Sequence, residues 1–310
     1  NKKKNAIIIT GGAGYVGSNL ILNKRFKKTN LLIIDKNLKK KKYKKKFRFF
    51  FKSDFVNYQL LDRLVENFNV TTVIHLAAYT NVSESIRNEK KYFKNNYLKS
   101  KQLIDFCKKN KIKKFIFASS AAVYGKVKSQ KITEKKRCLP INPYGFYKLQ
   151  IEKYLRLKKL NHVILRFFNI AGADPKIRSG ISSKNNKSLI HIATICAVKK
   201  THLNIYGINF NTKDGSSERD YVHVTDVTNV IIKSISYLNK NKKNLTINCG
   251  TQIKTSTLSV INNLNKLLRT KIKIIIKSQK PGEIPSIVCN NKKLRKILKY
   301  RFKYKFKDTL

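Results

Sequence analysis

A tyrosine and a lysine stand four residues apart in Pro143-Tyr144-Gly145-Phe146-Tyr147-Lys148, a spacing that puts Tyr144 and Lys148 on one face of a helix. There an ammonium can favour the phenolate of a tyrosine whose unperturbed pKa is about 10, making it a base near neutrality. Ser120, in Ala118-Ser119-Ser120-Ala121-Ala122-Val123-Tyr124-Gly125, falls at the end of an expected strand and can complete a relay to a substrate hydroxyl. Taken alone the pair carries little weight. With 15 Tyr and 69 Lys and Arg the pattern arises by chance, and Tyr147 and Lys148 could equally cap and solvate a helix.

A second motif changes that balance. Gly11-Gly12-Ala13-Gly14-Tyr15-Val16-Gly17 follows an apolar strand directly and opens a helix whose apolar positions include Val16, Leu20 and Ile21. In this context Gly11 permits the tight turn, Gly14 lets backbone approach a pyrophosphate, and Gly17 lets the helix pack on the sheet with its N-terminus toward the phosphates. Asp35, at the end of the second strand, is placed to accept hydrogen bonds from an adenosine ribose and to repel a 2′-phosphate, which favours NAD over NADP.

These residues need a scaffold of alternating strands and helices. Ala6 to Thr10, Leu31 to Ile34, Thr72 to Leu76, Phe115 to Ala118 and Val163 to Phe168 are short runs rich in branched and aromatic residues, as buried parallel strands are. Helix-compatible segments separate them, so the expected fold is α/β: a doubly wound parallel Rossmann sheet with a smaller C-terminal α/β substrate lobe. We place the NAD-binding domain at residues 1–170, with a returning segment near 225–250, and the substrate lobe at 171–310. Lysine runs such as Lys39 to Lys46 read as solvated loops.

The formal charge of +53 invites a nucleic-acid reading. The lysines, however, run along the whole chain, and no aromatic-interleaved basic motif accompanies them, so compositional drift is the better account. No nucleic-acid or membrane partner is expected, since no apolar stretch approaches spanning length. Five scattered cysteines and five histidines without ligand spacing suggest reduced thiols, a cytoplasmic location and no metal site. His75, on a strand, reads as a packed core residue.

The two motifs, together with Val73-Ile74-His75-Leu76-Ala77-Ala78, Leu165-Arg166-Phe167-Phe168-Asn169, Tyr206-Gly207, Asp214-Gly215 and Arg219-Asp220-Tyr221-Val222-His223-Val224, occur in an order and spacing that resemble the extended short-chain dehydrogenase/reductases acting on nucleotide sugars. The resemblance covers essentially the full length. It implies that Tyr15, Val16, Asp35, Asp54, Phe55, Leu76, Ala77, Ala78, Asn95 and Phe168 line the NAD site, with Lys148 reaching the nicotinamide ribose. It further implies that Asn169, Leu189, Tyr206, Arg219 and Glu283 hold a UDP-sugar beside Ser120 and Tyr144. The Arg219 guanidinium suits a diphosphate through its planar fork; the alternative is an ion pair with Asp220 or Asp226. The implied chemistry is reversible oxidation at sugar C4 through a 4-keto intermediate, in a homodimer built on residues near 96–106 and 143–157.

Departures are also visible. Family members that dehydrate their sugars carry Asp-Glu after the catalytic serine or threonine, where this chain has Ala121 and Ala122. Thr80 and Lys280 replace a common Lys and Arg, Ser188 stands beside the expected uridine pocket, and Ile287 lies where residue size bears on the sugar accepted. Decarboxylase, other 4-epimerase (including UDP-N-acetylhexosamine) and reductase relatives are the competing readings. Of two readings from another class, the intact Ser120, Tyr144 and Lys148 argue against a nucleotide-binding protein without turnover, and the lack of an aromatic-interleaved basic motif argues against a basic RNA-binding module.

Overall fold

The computed structural model describes residues 2–37, 49–127, 131–181, 188–241, 243–279 and 284–310. The run Lys39 to Lys46, Lys280 and Glu283 lie outside them. In chain order the first strands are β1 (Lys4–Thr10), β2 (Asn30–Asp35), β3 (Phe50–Lys52), β4 (Phe68–His75), β5 (Lys114–Ser120) and β6 (Asn161–Phe167). Then come β7 (Asn169–Ala171), β8 (Leu203–Tyr206), β9 (Glu218–Arg219), β10 (Tyr221–His223), β11 (Leu245–Cys249), β12 (Thr255–Ser256), β13 (Ile274–Lys277) and β14 (Ser286–Ile287). The longer helices are α1 (Tyr15–Ile21), α2 (Tyr58–Asn67), α3 (Lys99–Lys109), α4 (Pro143–Leu157), α5 (Leu189–Lys199), α6 (Val224–Lys240) and α7 (Thr257–Leu268).

Side-chain alternation in β1 shows how the layers arise. Ile7 and Ile9 point to one face, where they meet Leu20 and Ile21 of α1 and Val227, Val230 and Ile231 of α6. Ala6 and Ile8 point to the other, against Leu61 and Leu64 of α2, Leu103 and Ile104 of α3, and Ile151 and Leu155 of α4. A strand covered on both faces must be apolar at successive positions, which is why these strands read as unbroken hydrophobic runs.

Seven parallel strands run in the order β11-β6-β5-β4-β1-β2-β3. The order reverses between β1 and β4, the switch point at which doubly wound sheets open a crevice beyond their C-terminal strand ends. The fold is therefore the doubly wound α/β sheet that the residue pattern implies. β3 escaped the pattern because it has only three residues and none of them is fully buried.

β11 pairs in register with β6, Leu245 opposite Val163 through Cys249 opposite Phe167. The remaining strands form a parallel pair of β7 and β10, a parallel pair of β8 and β13, and a small sheet of β9 between β12 and β14. Ile190, Ala193, Cys196, Leu203, Val260 and Ile261 give this region its own apolar centre. No described helix is long and apolar enough to cross a membrane.

Candidate functional site at the strand ends

Gly11 leaves β1 with φ of 73°. A Cβ built on it would come within 2.6 Å of the Ala77 backbone nitrogen, so the loops after β1 and β4 touch at this glycine, across the switch. Leu76 N–H donates to the Thr10 carbonyl at 3.1 Å and fixes the same crossing, which carries Ala77 and Ala78 past the glycine loop. Gly14 caps α1 without a side chain, leaving the approach to the first turn uncovered. Gly17 differs in detail from the sequence expectation. The atoms its Cβ would strike are not those of a strand but the Gly11 carbonyl oxygen at 2.3 Å and Gly12 Cα at 2.6 Å, so it allows the helix to close on its own loop.

Asp35 is tied to this loop: its carboxylate accepts the Ala13 N–H at 2.9 Å and the Asn37 N–H at 2.8 Å. Burial raises its pKa, and the N–H groups of Asn37, Ala13 and Gly14 pull it partly back. Beyond it Asp54 pairs with Lys99 and, at 2.9 Å, with Lys36. Burial pushes the Asp54 carboxyl up, but the two lysines outweigh it and hold the group below its usual range. Phe55 is buried, with its ring 5.0 Å from that of His75.

His75 bonds Thr10 Oγ1 through Nδ1 at 2.7 Å and Ser100 Oγ through Nε2 at 2.9 Å. Burial first and the Lys148 charge second drive its pKa down to about 3, so it is a neutral core group. Asn95 donates to the Asn96 carbonyl oxygen at 3.0 Å, and Asn96 clasps the backbone of Tyr79 at both ends. Tyr15 reaches across to donate to the Gly172 carbonyl at 2.5 Å, while Val16 packs on the sheet core.

The chemistry-bearing residues meet at the end of β5. Ser120 caps a short 3-10 turn, accepting the Ala122 N–H at 3.2 Å. α4 starts at Asn142, whose side chain accepts the Gly145 N–H at 2.8 Å, and Pro143 pre-sets the first turn. A Cβ on Gly145 would come within 2.4 Å of the Ala122 carbonyl oxygen; that close approach brings Tyr144 to Ser120. Tyr144 and Lys148 are both buried, which excludes a merely solvating lysine.

One expectation is overturned here. Tyr144 is not lowered toward neutrality: burial raises its pKa, and the Ser120 side chain pulls it only partly back. The physical reason is the direction of the lysine. Lys148 Nζ donates to the Ala118 carbonyl at 2.6 Å and lies 5.9 Å from the Tyr144 ring centre, while its own desolvation, offset in part by Glu152, brings it down to about 7.

Phe168 is buried with Tyr124 and Ile287, and Asn169 N–H donates to the Asp220 carbonyl at 2.9 Å. Leu189 opens α5 against the apolar cluster of Ile190, Leu203 and Val260, and Tyr206 ends β8 opposite Lys277. Arg219 donates from one terminal nitrogen to the carbonyls of Glu218 and Ile284, both at 2.8 Å. The carboxylates that competed for it are occupied elsewhere. Asp220 accepts from Thr251, Gln252 and Cys289, and Asp226 from Tyr300, Lys303 and Tyr304.

Two groups escaped sequence reasoning. A tyrosine cluster of Tyr92, Tyr144 and Tyr147, flanked by Tyr79 and Tyr97, walls the phenol; Tyr144 and Tyr147 share α4, but Tyr79, Tyr92 and Tyr97 come from earlier segments that no motif links to it. Glu152 is fully buried one helical turn beyond Lys148. Its signal was present, since a lone acidic residue at that spacing is conspicuous in a chain with only 16 Asp and Glu.

Residues 7–250 match the NAD dependent epimerase/dehydratase family. The chain belongs to that family. Among its relatives, the UDP-glucose 4-epimerase of Halalkalibacterium halodurans is 32% identical over 310 residues, covering 98% of this chain and 93% of that protein. The crystal structure of UDP-glucose 4-epimerase from Bifidobacterium longum, in complex with NAD+ and UDP, superposes with a TM-score of 0.91 at 28% identity, covering 98% of this chain and 95% of that one. The UDP-Glc/GlcNAc 4-epimerase of Campylobacter jejuni superposes with a TM-score of 0.82 at 31% identity, covering 98% and 96%. As a member of this epimerase/dehydratase family the chain takes NAD as its cofactor, and its seven-stranded parallel sheet is the Rossmann sheet of the solved epimerases.

Proposed function

We propose that this protein interconverts UDP-glucose and UDP-galactose at sugar C4, with NAD retained through the cycle. The observation that carries the reading is the convergence of Tyr144, Ser120 and Lys148 at the end of β5, followed by Ala121 and Ala122. A dehydratase needs an acid and a base just there, and two methyl groups supply neither.

The glycine loop fits a dinucleotide, because a side chain at Gly11 or Gly17 would fill the cradle with carbon. Gly11, Gly14, Tyr15, Val16 and Gly17 would face the pyrophosphate and Asp35 the adenosine ribose. Asp54, Phe55, Leu76, Ala77, Ala78, Asn95 and Phe168 would enclose the rest, with Lys148 on the nicotinamide ribose. Bound there, NAD would supply the hydride acceptor and donor for C4 of the sugar. Tyr144 takes the proton of the 4-hydroxyl and later gives it back, and Ser120 orients that hydroxyl and shares its proton. Lys148, when protonated, brings a positive charge near the developing phenolate, which a raised phenol requires. Asn169, Leu189, Tyr206, Arg219 and Glu283 would hold the nucleotide, and residues 171–310 would form the lobe that turns the sugar between its two faces, residues 1–170 with a return near 225–250 forming the cofactor domain.

A homodimer in the cytoplasm completes the reading. Phe93 and Phe146, both exposed, flank Tyr147 at 5.6 and 5.4 Å between ring centres, an apolar patch at the start of α4 that a second copy would cover. Incubating the purified protein with UDP-galactose, without added NAD, and following UDP-glucose tests the function. Product that disappears in Tyr144→Phe supports it; no product even with NAD supplied refutes it. UDP-N-acetylgalactosamine belongs in the same assay, because Ile287 is buried beside Phe168 and bears on the size of sugar admitted.

A further inference from the structure

α4 is fastened to the end of β5 by three successive rungs. Tyr144 faces Ser120, Lys148 Nζ bonds the Ala118 carbonyl at 2.6 Å, and Glu152 Oε1 accepts the Ser119 hydroxyl at 2.6 Å. Residues 144, 148 and 152 follow one another at four-residue intervals, so they form one stripe of the helix. The first two belong to the relay; the third has no part in the chemistry.

Glu152 is nonetheless heavily bonded. Arg166 grips it through Nε at 2.9 Å and a terminal nitrogen at 2.6 Å, and Arg156 adds a contact at 3.1 Å. Arg166 lies in register opposite Ser119 on the neighbouring strand, so the carboxylate bridges two strand ends as well as the helix. Arg166 goes on to the Tyr124 hydroxyl at 2.8 Å, which donates to Asn248 of β11 at 2.6 Å. This buried belt passes directly beneath the turn that follows Ser120. The carboxylate stands one helical turn from the buried Lys148 amine, whose protonated form its charge favours.

We propose that Glu152 is the positioning residue of the relay: it fixes the end of β5 through Ser119 and, one turn beyond Lys148, favours the protonated form of its amine. The inference deepens the reading of Tyr144 and Lys148 as the proton-handling pair. Its primary test does not depend on turnover.

The midpoint of Lys148 can be read in the apoprotein from its Cε resonance after lysine 13C labelling, assigned by its loss in Lys148→Arg. Glu152→Gln should lower that midpoint by about one pH unit, and Glu152→Asp should restore most of the shift. The alkaline limb of kcat should move with the midpoint. Should Glu152→Gln fail to fold, the neutral pair Glu152→Gln with Arg166→Met removes the stranded arginine charge; because that charge also disfavours the protonated lysine, the midpoint should fall by less than in the single variant but should still fall. An unchanged midpoint in a folded variant overturns the proposal, as does loss of fold in both variants, which would confine Glu152 to stability. If the parent shows the expected midpoints but no epimerase turnover, the functional reading fails and the electrostatic role of Glu152 stands.

Discussion

Lys148 and Ala118 are joined by a 2.6 Å hydrogen bond from the buried ammonium to the last carbonyl before the two serines. The bond anchors α4 to β5 and leaves Tyr144 to be raised by burial, with only Ser120 pulling it down. Catalysis by such a phenol depends on charge brought close during turnover rather than on a phenolate standing ready.

Removing the phenol oxygen isolates that dependence. Tyr144→Phe should fold normally, retain NAD by absorbance of the released nucleotide, and lose about 10²- to 10⁴-fold in kcat. A variant within threefold of the parent would remove Tyr144 from the chemistry.

Lys148 has its pKa brought down to about 7 from the 10.5 of an exposed lysine. Between those values the unfolded chain binds a proton that the folded chain does not, so stability rises with pH across that window. Lys148→Met should therefore stabilise the apoprotein most below pH 7, with the gain fading toward pH 10.5, as urea unfolding at pH 6, 8 and 9.5 would report. A gain independent of pH would mean that the lysine is charged throughout.

His75 gives a second window lying on the acid side. Its pKa of about 3 in the fold is below the ordinary 6.5, so its contribution is complete above pH 6.5 and is lost as pH falls toward 3. Relative to His75→Gln, the parent should lose about 1.4 kcal/mol per pH unit across that range. Equal acid sensitivity in the two proteins would contradict a neutral His75.

Gly17→Ala places a methyl group 2.3 Å from the Gly11 carbonyl oxygen and 2.6 Å from Gly12 Cα, both backbone atoms of the cofactor loop. The expected cost is about 1–3 kcal/mol of stability, together with weaker NAD retention, since the loop must shift. Calorimetry on apoprotein and NAD-loaded protein separates the two effects.

Asp35→Ala should weaken NAD binding by about 10- to 100-fold, the worth of charge-assisted hydrogen bonds to a ribose. It should also narrow the gap between NAD and NADP, measured by titration calorimetry. An unaltered NAD affinity would move the ribose contact elsewhere.

What the sequence disclosed and withheld follows from range. The glycine loop, the strand ends and the stripe of Tyr144 and Lys148 are local patterns, written within a few residues of one another. The Glu152 belt was hidden because its partners, Ser119, Arg166, Tyr124 and Asn248, come together only when three strands are aligned. The direction of Lys148 was hidden for the same reason: periodicity places a residue on a face but does not choose between a phenol and a carbonyl. Arg219 shows the converse, since its acidic neighbours in sequence turn to other donors in space. The function of Glu283 rests on resemblance alone, as that residue lies outside the described segments.

The pairing of β11 with β6 also bears on how the chain is made. Until Cys249 has left the ribosome, β6 presents an unpaired row of backbone groups at the edge of an otherwise assembled sheet. The stretch between them, with the pieces of the lobe, must therefore be synthesised while a sticky edge waits, and a chain released after residue 170 would carry that edge permanently. Such a fragment is expected to aggregate rather than persist as a small cofactor-binding protein.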